Sequence, residues 1–363
     1  MNTLTLGLAI AGGLVLAGVV AHSTWNTRRN APRTAEPTPD APQAERTEPK
    51  LDGDPQAAPA MPSNYPPSRG LGGAGADFDS NLVPLAQAEK KPLLDALIDV
   101  IAPIVVDGEV AGEVALAAMP ATRRAGSKPF AVEGLNRFSN EWELPTAGQR
   151  YNAFKAGVQL ANRTGALNDI EYSEFVVKAQ AFADGVGGTP EFPEMMDEVA
   201  RARELDQFAS SHDAQLGVTI RARSTAWSPG YVQQHAARQG FVPGVIPGRM
   251  VLPAAEQGLP PLLSLAFDTQ AALADEPEQS ALRSVTLSLD VPQVARSEQP
   301  FTRMSDLAVA LAASMDGVIS DDNGNVIHLE SLHAIGTDLE QLYDTLDERD
   351  LSAGSLQARR LFS

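Results

Sequence analysis

The side chains that most often perform catalysis or bind metals are sparse in this sequence. It contains no cysteine, which excludes disulfides, thiol catalysis and cysteine-ligated zinc. No two of its histidines stand at the helical spacing of a metal site with a third ligand nearby, so we predict surface or capping roles for them. The histidines are His22, His212, His235, His328 and His333.

One acidic stretch has part of the pattern of a calcium-binding loop. The residues DDNGN, at 321–325, supply closely spaced oxygen ligands, but Leu332 stands where such a loop needs a glutamate at its twelfth position. Asn323 and Gly324 lie between two apolar pairs, which is typical of a type I′ hairpin turn. No carboxylate pair in a glycosidase or protease motif and no GxSxG motif is found. We therefore predict a protein that is not an enzyme and that uses no cofactor or metal.

The charge balance argues against nucleic acid as a partner. Lysine and arginine number 28 against 46 aspartates and glutamates, a net charge of −18. Such a surface has the wrong sign for neutralising phosphates. We expect the function to lie in a binding surface, and the elements of the fold must position that surface.

The first thirty residues predict a membrane anchor, assigned to residues 1–27. The run LTLGLAIAGGLVLAGVVA continues without charge to Trp25, so that residues 4–25 make a run of about 20 residues, which matches the thickness of a bilayer's hydrocarbon core. A cleaved signal peptide, the alternative, usually begins with basic residues, and none precedes this run. Arg28 and Arg29 follow the run, so the positive-inside rule places the bulk of the protein in the cytoplasm and a short N-terminal tail outside.

Small residues recur at four-residue intervals in the anchor. This spacing lets membrane helices approach one another closely. Self-association through the span is therefore an open alternative to a monomeric anchor. The small residues are Ala9, Gly13 and Ala17.

A proline-rich segment, residues 28–85, separates the anchor from folded protein. It has proline every few residues, few large aliphatic side chains and mixed charge, a composition that buries too little apolar surface to fold. A flexible chain of about 50 residues has an end-to-end distance of about 40 Å. We predict a linker that holds the rest of the protein away from the membrane.

Two stretches after the linker, residues 86–210 and 211–351, share one order of predicted elements. Each begins with a strand, continues through a helix and three short strands, and closes with a second helix. In the second stretch, Ser228 caps the first helix and Pro229 occupies its first turn. Residues 352–363 are assigned as a tail.

The closing helices of the two stretches also share letters. FVVKAQAFADGV, from Phe175, aligns without a gap on LAVALAASMDGV, from Leu307. Chance similarity of two amphipathic helices is the competing explanation, but the order of elements agrees as well, so we interpret the stretches as copies of one fold. The alignment places Asp184 on Asp316, Gly185 on Gly317 and Val186 on Val318.

The predicted fold class is α+β. Antiparallel strands joined by hairpins, with two helices in each module, favour a sheet whose helices cover one face. The other face of each sheet is then free to accept a partner.

The second stretch resembles the C-terminal FtsZ-binding domain family of the bacterial cell-division protein ZipA. The likeness lies in VTIRA, HAARQGF, LLSLAFD, VTLSLDVP and ALAASMDGVISDD, in that order, over residues 216–326, and more weakly in residues 96–188. The anchor and the linker match this family's layout. The resemblance implies two tandem ZipA-C-like modules on a single-pass protein of the bacterial inner membrane, with a periplasmic N-terminus, that tethers the tubulin-like division protein FtsZ.

The resemblance also implies a site. In this family the C-terminal tail of FtsZ lies as a short helix in a shallow apolar groove on the open sheet face, where a few apolar anchors supply most of the energy. Arg249 is expected at the edge of that groove. Carried over by position, the partner-binding residues of this chain are Val218, Ile220, Arg249, Val251, Ala266, Asp268 and Ser288.

Three positions depart from the family pattern. Ser288 replaces a large aromatic residue, Asp268 a methionine and Gln270 a lysine. Loss of a buried phenylalanine removes about 2 to 3 kcal/mol, or up to about a hundredfold in affinity. Three alternatives therefore stay open: a different peptide or protein as the partner, packing of the two modules sheet on sheet, or two weak sites that act together.

Overall fold

The computed structural model of the protein describes residues 32–36, 93–256, 258–321, 324–327 and 329–363. The predicted anchor and nearly all of the predicted linker lie outside these ranges. Within them, no helix combines the length and the apolar composition that crossing a bilayer requires. All the described residues belong to one compact unit.

The first module is an antiparallel sheet followed by a small hairpin. The strands of the sheet are β1 (Asp99–Ala111), β2 (Arg124–Ala125), β3 (Lys128–Asn136), β4 (Trp142–Glu143), β5 (Arg150–Gln159) and β8 (Gly188–Pro190). The hairpin is formed by β6 (Ala161–Asn162) and β7 (Gly165–Ala166). Four strands lie in the order β3-β5-β1-β8, and the short β2 and β4 both pair with β3.

Local sequence explains where the long helix of this module begins and ends. The helices are α1 (Gly112–Ala118), α2 (Asp169–Val186) and α3 (Met195–His212). The side chain of Asn168 accepts hydrogen bonds at the start of α2, in a capping box with Glu171. Gly187 ends α2 in the left-handed conformation, which glycine adopts without steric cost. Phe175 and Phe182 project from α2 and are fully buried against the sheet.

The second module is a separate antiparallel sheet of six strands. They are β9 (Gln215–Ala222), β10 (Val242–Pro243), β11 (Arg249–Leu252), β12 (Leu263–Ala266), β13 (Ser284–Asp290) and β14 (Gly317–Ser320). Their order in the sheet is β10-β11-β12-β13-β9-β14, with antiparallel pairing throughout.

The helices of the second module are α4 (Pro229–Arg238), α5 (Thr269–Ala272), α6 (Pro300–Met315) and α7 (Leu329–Asp347). The most extensive contacts between helices and sheet in this module are made by α6, and α4 and α7 pack against α6. Ser228 caps α4 by accepting from the N–H of Tyr231, and Pro229 is its first residue, so this predicted start is confirmed. Met304 and Leu311 of α6 are buried in the core on the face of the sheet that α6 covers.

The two sheets have the same strand order relative to the chain. In each, the first strand (β1 or β9) lies between the third (β5 or β13) and the fourth (β8 or β14), and the second (β3 or β12) lies beyond the third. This is the β-α-β-β-α-β arrangement with two crossover helices. The predicted α+β class, with antiparallel sheets and helices, is therefore confirmed.

The shared letters of the closing helices do not occupy equivalent positions. In the second module Asp316 ends α6 in the left-handed conformation and Gly317 begins β14. In the first module α2 runs through Asp184 and Gly185, and the residue that begins the fourth strand is Gly188. The ungapped alignment is therefore wrong by three residues at this point.

Glycine stands at this position in both sheets for one steric reason. A Cβ at Gly188 would lie 2.7 Å from Ile104 Cγ2 and 3.1 Å from the carbonyl of Val105. A Cβ at Gly317 would lie 2.7 Å from Ile220 Cγ2 and 3.3 Å from the carbonyl of Arg221. The fourth strand therefore starts against the first strand at a distance that only glycine allows.

The segment predicted as a tail, residues 352–363, is part of the core. It contains α8 (Leu356–Leu361), and Leu361 is 1% exposed. Gln159 of the first module donates to the carbonyl of Arg360 at 2.8 Å. Gln293 of the second module donates to the carbonyl of Phe362 at 2.7 Å. The C-terminal segment thus joins the two modules.

Candidate functional site

The outer face of the second sheet, the face opposite α6, is the candidate site. Successive side chains of a strand point to opposite faces, so burial identifies which residues face outward. Two cross-strand rows make up the centre of this face. One row is Thr219, Thr286, Ala266 and Arg249, and the other is Gly217, Ser288, Ser264 and Val251.

Two of the predicted site residues lie on the wrong face for this role. Val218 and Ile220 are 7% and 0% exposed and belong to the core between the sheet and its helices. The outward residues of β9 are instead Gly217, Thr219 and Arg221. The prediction that Val218 and Ile220 line the groove is therefore wrong by one residue, which in a strand exchanges the two faces.

Four other predicted residues come together on the outer face. Arg249, Val251, Ala266 and Ser288 occupy the two central rows. Asp268 does not join them, because it lies beyond the end of β12 and caps α5, where its carboxylate accepts from the N–H of Gln270 at 2.9 Å.

The sequence itself contains a signal for the missed residues Gly217 and Thr219. In the stretch GVTIRA, apolar Val218 and Ile220 alternate with smaller or polar residues. Alternation of this kind places the apolar set against the core. Period-two patterning therefore predicts the observed face, whereas assignment by resemblance reversed it.

The outer face forms a groove of about 730 Å³ with a polar floor. Small hydroxyl side chains line its floor, including Ser264, Thr286 and Ser288, and Arg249 stands at its rim. The hydroxyl oxygens of Thr219 and Thr286 are 3.5 Å apart across the neighbouring strands. The groove can offer hydrogen bonds and positive charge, and its lining also includes the apolar residues Leu216, Pro260, Pro261 and Leu262.

An arginine from the first module closes one end of the groove. The guanidinium of Arg163 donates to Asp213 at 2.6 and 2.8 Å and to Asp290 at 2.8 Å through each of two nitrogens. These hydrogen bonds, to Asp213 first and then to Asp290, raise the pKa of Arg163 above its usual value. Because both carboxylates are paired with Arg163, the positive charge that remains for a ligand on this face comes from Arg249 and Arg221.

The first module does not cover this face. Gly217, Arg221 and Arg249 are all exposed. The alternative in which the two modules pack sheet on sheet and bury the face is therefore wrong. The modules meet through α8, through Arg163 and through a shared core that includes Ile98, Ala161 and Ala209 of the first module.

The corresponding outer face of the first sheet differs in character. Its centre is partly filled by the preceding chain, where Leu94, 3% exposed, lies so close over Gly157 that an added Cβ there would be 2.6 Å from Leu94 Cδ2. Beside it, Lys155 pairs with Glu133 at 2.9 Å and lies 4.8 Å from the centre of the Trp142 ring.

Part of the outer face of the first sheet is apolar. A single cross-strand row runs from β1 to β4 and contains Val105, Ala153, Leu135 and Trp142. Val105 is 67% exposed. We call these four residues the apolar row of the first module.

No metal site is found among the residues that the structure describes. The ring of His212 is within 2.7 Å of the carbonyl of Phe208, at the end of α3. His235 lies against Tyr231, and burial lowers its pKa. His22, His328 and the side chain of His333 lie outside the described part, as does Asn323 of the predicted turn.

Comparison with known families agrees with the geometry of the second module. Residues 262–337 match the family model of the ZipA C-terminal FtsZ-binding domain. The matched segment contains β12, β13, α6 and β14, and so three strands of the sheet whose outer face is open. No curated protein matches the chain closely enough to count as a relative. Through residues 262–337, this chain is similar to the C-terminal FtsZ-binding domain of ZipA.

Proposed function

We propose that this protein tethers the bacterial division ring to the inner membrane by binding the C-terminal tail of FtsZ on the outer face of the second sheet. The observation that carries the proposal is the match of residues 262–337 to the FtsZ-binding family. The matched strands contribute Ser264, Thr286 and Ser288 to an accessible groove. In this proposal the protein binds FtsZ and does not catalyse a reaction.

The groove accepts a short peptide by contacts along its two rows. Gly217, Ser264 and Ser288 are small, so a helix or extended segment can lie close to the strands. Arg249, exposed at the rim, pairs with a carboxylate of the peptide and sets its register. Because the floor is polar, we expect affinity to be lower than an apolar groove of the same size would give.

The membrane part of the proposal rests on residues 4–25. Their uncharged run and the arginines that follow support a membrane span with the two modules on its cytoplasmic side. The shared strand order of the modules supports duplication of one ZipA-C-like unit, in residues 86–210 and 211–351. The second copy is the one that carries the family match.

Co-sedimentation with FtsZ polymers tests this proposal. A soluble form that begins at residue 26, after the predicted span, should pellet with FtsZ and should bind a peptide of the FtsZ C-terminal tail. Arg249→Glu should weaken both interactions about tenfold, as expected for a charge reversal at a binding site. Arg303→Glu, the same reversal on α6, is the matched control and should leave both unchanged. Absence of pelleting and of peptide binding at high micromolar concentration would contradict the proposal.

A second candidate function is a membrane-anchored module of the same fold that binds another peptide or protein. The hydroxyl side chains of the groove floor favour it, since Ser264, Thr286 and Ser288 lie there and Ser288 stands where the family has a large aromatic residue. A partner of this kind would present acidic and hydrogen-bonding side chains to Arg221 and Arg249.

The apolar row of the first module offers FtsZ a different docking place. If the tail binds there, Val105→Asp should abolish peptide binding while Arg249→Glu has no effect. The two substitutions together therefore identify which module binds.

A further inference from the structure

Residues 32–36, just after the predicted anchor, are docked on the second module. The N–H of Arg33 donates to the carbonyl of Ala226 at 2.7 Å, and the carbonyl of Arg33 accepts from the N–H of Ser228 at 2.8 Å. These bonds form a parallel bridge to Trp227, which is bridged on its other side to Leu282. The segment is therefore added as an outer strand beside Trp227.

Side chains hold both ends of this segment. The guanidinium of Arg33 donates to the carboxylate of Asp316 at 2.9 Å. At the other end, the amide of Gln234 brackets Glu36, accepting from its N–H at 3.0 Å and donating to its carbonyl at 2.9 Å. The carboxylate of Glu36 lies 3.3 Å from Arg238. The docking is specific, because the backbone bridge at Arg33 and the ion pairs of Arg33 and Glu36 can form together in only one alignment of the segment on the module.

We propose that residues 32–36 form a latch that closes on the second module and opens without unfolding it. The segment reads PRTAE and has no large apolar side chain to bury. The Arg33 and Asp316 side chains are 36% and 40% exposed, and those of Arg238 and Glu36 are 54% and 81% exposed. Ion pairs this exposed stabilise weakly, and the two backbone bonds and the two hydrogen bonds of Gln234 must offset the entropy of ordering the segment. Closed and open states are therefore close in free energy.

The latch determines how long the tether is. When it is closed, residues 37–92 begin and end on the folded unit, and only residues 26–32 join the predicted span to the second module. Seven extended residues reach at most about 25 Å. When it is open, the chain up to residue 92 becomes available as tether. This consequence for reach rests on the proposed membrane anchor, whereas the latch itself does not.

A cysteine pair in the full chain tests the closed state. The chain has no cysteine of its own, so only engineered thiols react. Glu36→Cys with Gln234→Cys should form an intramolecular disulfide under mild oxidation. Glu36→Cys with Asp184→Cys, whose second site is on the first module, is the matched control and should react at least tenfold more slowly. Equal rates for the two pairs, or disulfides mainly between two chains, would overturn an intramolecular latch.

The contribution of Arg33 is tested in the same cysteine pair. Arg33→Gln should lower the disulfide yield severalfold because it removes the pair with Asp316. Thr34→Glu makes the same change of one unit of charge at the neighbouring exposed residue and should have little effect. If Arg33→Gln leaves the yield unchanged, the proposed register is wrong.

Hydrogen exchange tests opening in the unmodified full chain. The N–H of Ser228 is bonded to the latch, whereas the N–H of Leu282 is bonded to Trp227 from within the module. Opening of the latch exposes only the first, so Ser228 should exchange at least a hundredfold faster than Leu282. Arg33→Gln should accelerate Ser228 further and leave Leu282 unchanged. Equally slow exchange at both amides would show that the segment does not open separately, and the latch would be disproved.

Discussion

The guanidinium of Arg360, in the C-terminal helix α8, is paired with the carboxylate of Asp99 at the start of β1. One nitrogen of Arg360 is 2.8 Å from Asp99 Oδ2. Asp99 is fully buried, and the side chain of Arg360 is 15% exposed. Because α8 also contacts the second module, this ion pair links the end of the chain to the first strand of the first module.

Removal of Arg360 should destabilise the protein substantially. Arg360→Ala leaves the buried Asp99 carboxylate without its partner, which we expect to lower the free energy of unfolding by about 3 kcal/mol. The measurement is urea denaturation followed by circular dichroism. Arg359→Ala, one residue earlier in the same helix, should change stability by less than about 0.5 kcal/mol. A similar loss from both substitutions would mean that the effect comes from the helix and not from the ion pair.

The cost of losing Arg360 should depend on pH. Burial raises the pKa of Asp99 above its usual value, and Arg360 opposes that rise. A carboxyl group with a raised pKa in the folded state contributes stability that is present at low pH and is lost as pH rises through that pKa. Arg360→Ala raises the pKa further, so its destabilisation should be smaller at pH 4 than at pH 7.

Denaturation of wild type and variant at the two pH values measures this difference. In the double variant Asp99→Asn and Arg360→Ala no carboxyl group is left to titrate at this position, and the dependence on pH should disappear. A destabilisation by Arg360→Ala that is equal at pH 4 and pH 7 would contradict burial of an ionised Asp99.

Replacing the glycine that begins the fourth strand should destabilise the protein to a similar extent in both modules. Gly188→Ala and Gly317→Ala each place a methyl group 2.7 Å from an isoleucine Cγ2 of the neighbouring strand. We expect each to lower the free energy of unfolding by about 1 to 3 kcal/mol. Gly108→Ala is the control, because nothing lies within 4 Å of its added Cβ. If either substitution leaves the midpoint of thermal denaturation unchanged, the two glycines do not have the same structural role.

A large aromatic side chain at Ser288 should strengthen binding of the FtsZ tail if the groove is a degenerate FtsZ site. Ser288→Phe adds apolar area to the floor, worth about 2 kcal/mol when buried by a ligand. Fluorescence anisotropy with a labelled tail peptide measures the gain. Ser284→Phe is on the same strand and face but outside the groove, and should have no effect. No gain from Ser288→Phe would favour the alternative partner.

The predictions from sequence were most accurate where the physics is local. The start of α4 follows from Ser228 and Pro229, since capping involves residues within one turn. The face on which Val218 and Ile220 lie is also encoded in the alternation of GVTIRA. Positions carried over from the resemblance are one residue out of phase with this alternation, and a shift of one residue in a strand exchanges its two faces.

The sequence by itself determined the α+β class, the order of elements in each module and the polar or small residues of β12 and β13, since these follow from short-range periodicity. Only the tertiary structure revealed that Arg33 is bonded to Asp316, that Arg360 is paired with Asp99, and that Gly188 is the counterpart of Gly317. These relationships join residues far apart in the chain, or depend on how closely two strands approach. Spacing along the sequence contains no information about such distances until the sheets and helices have packed.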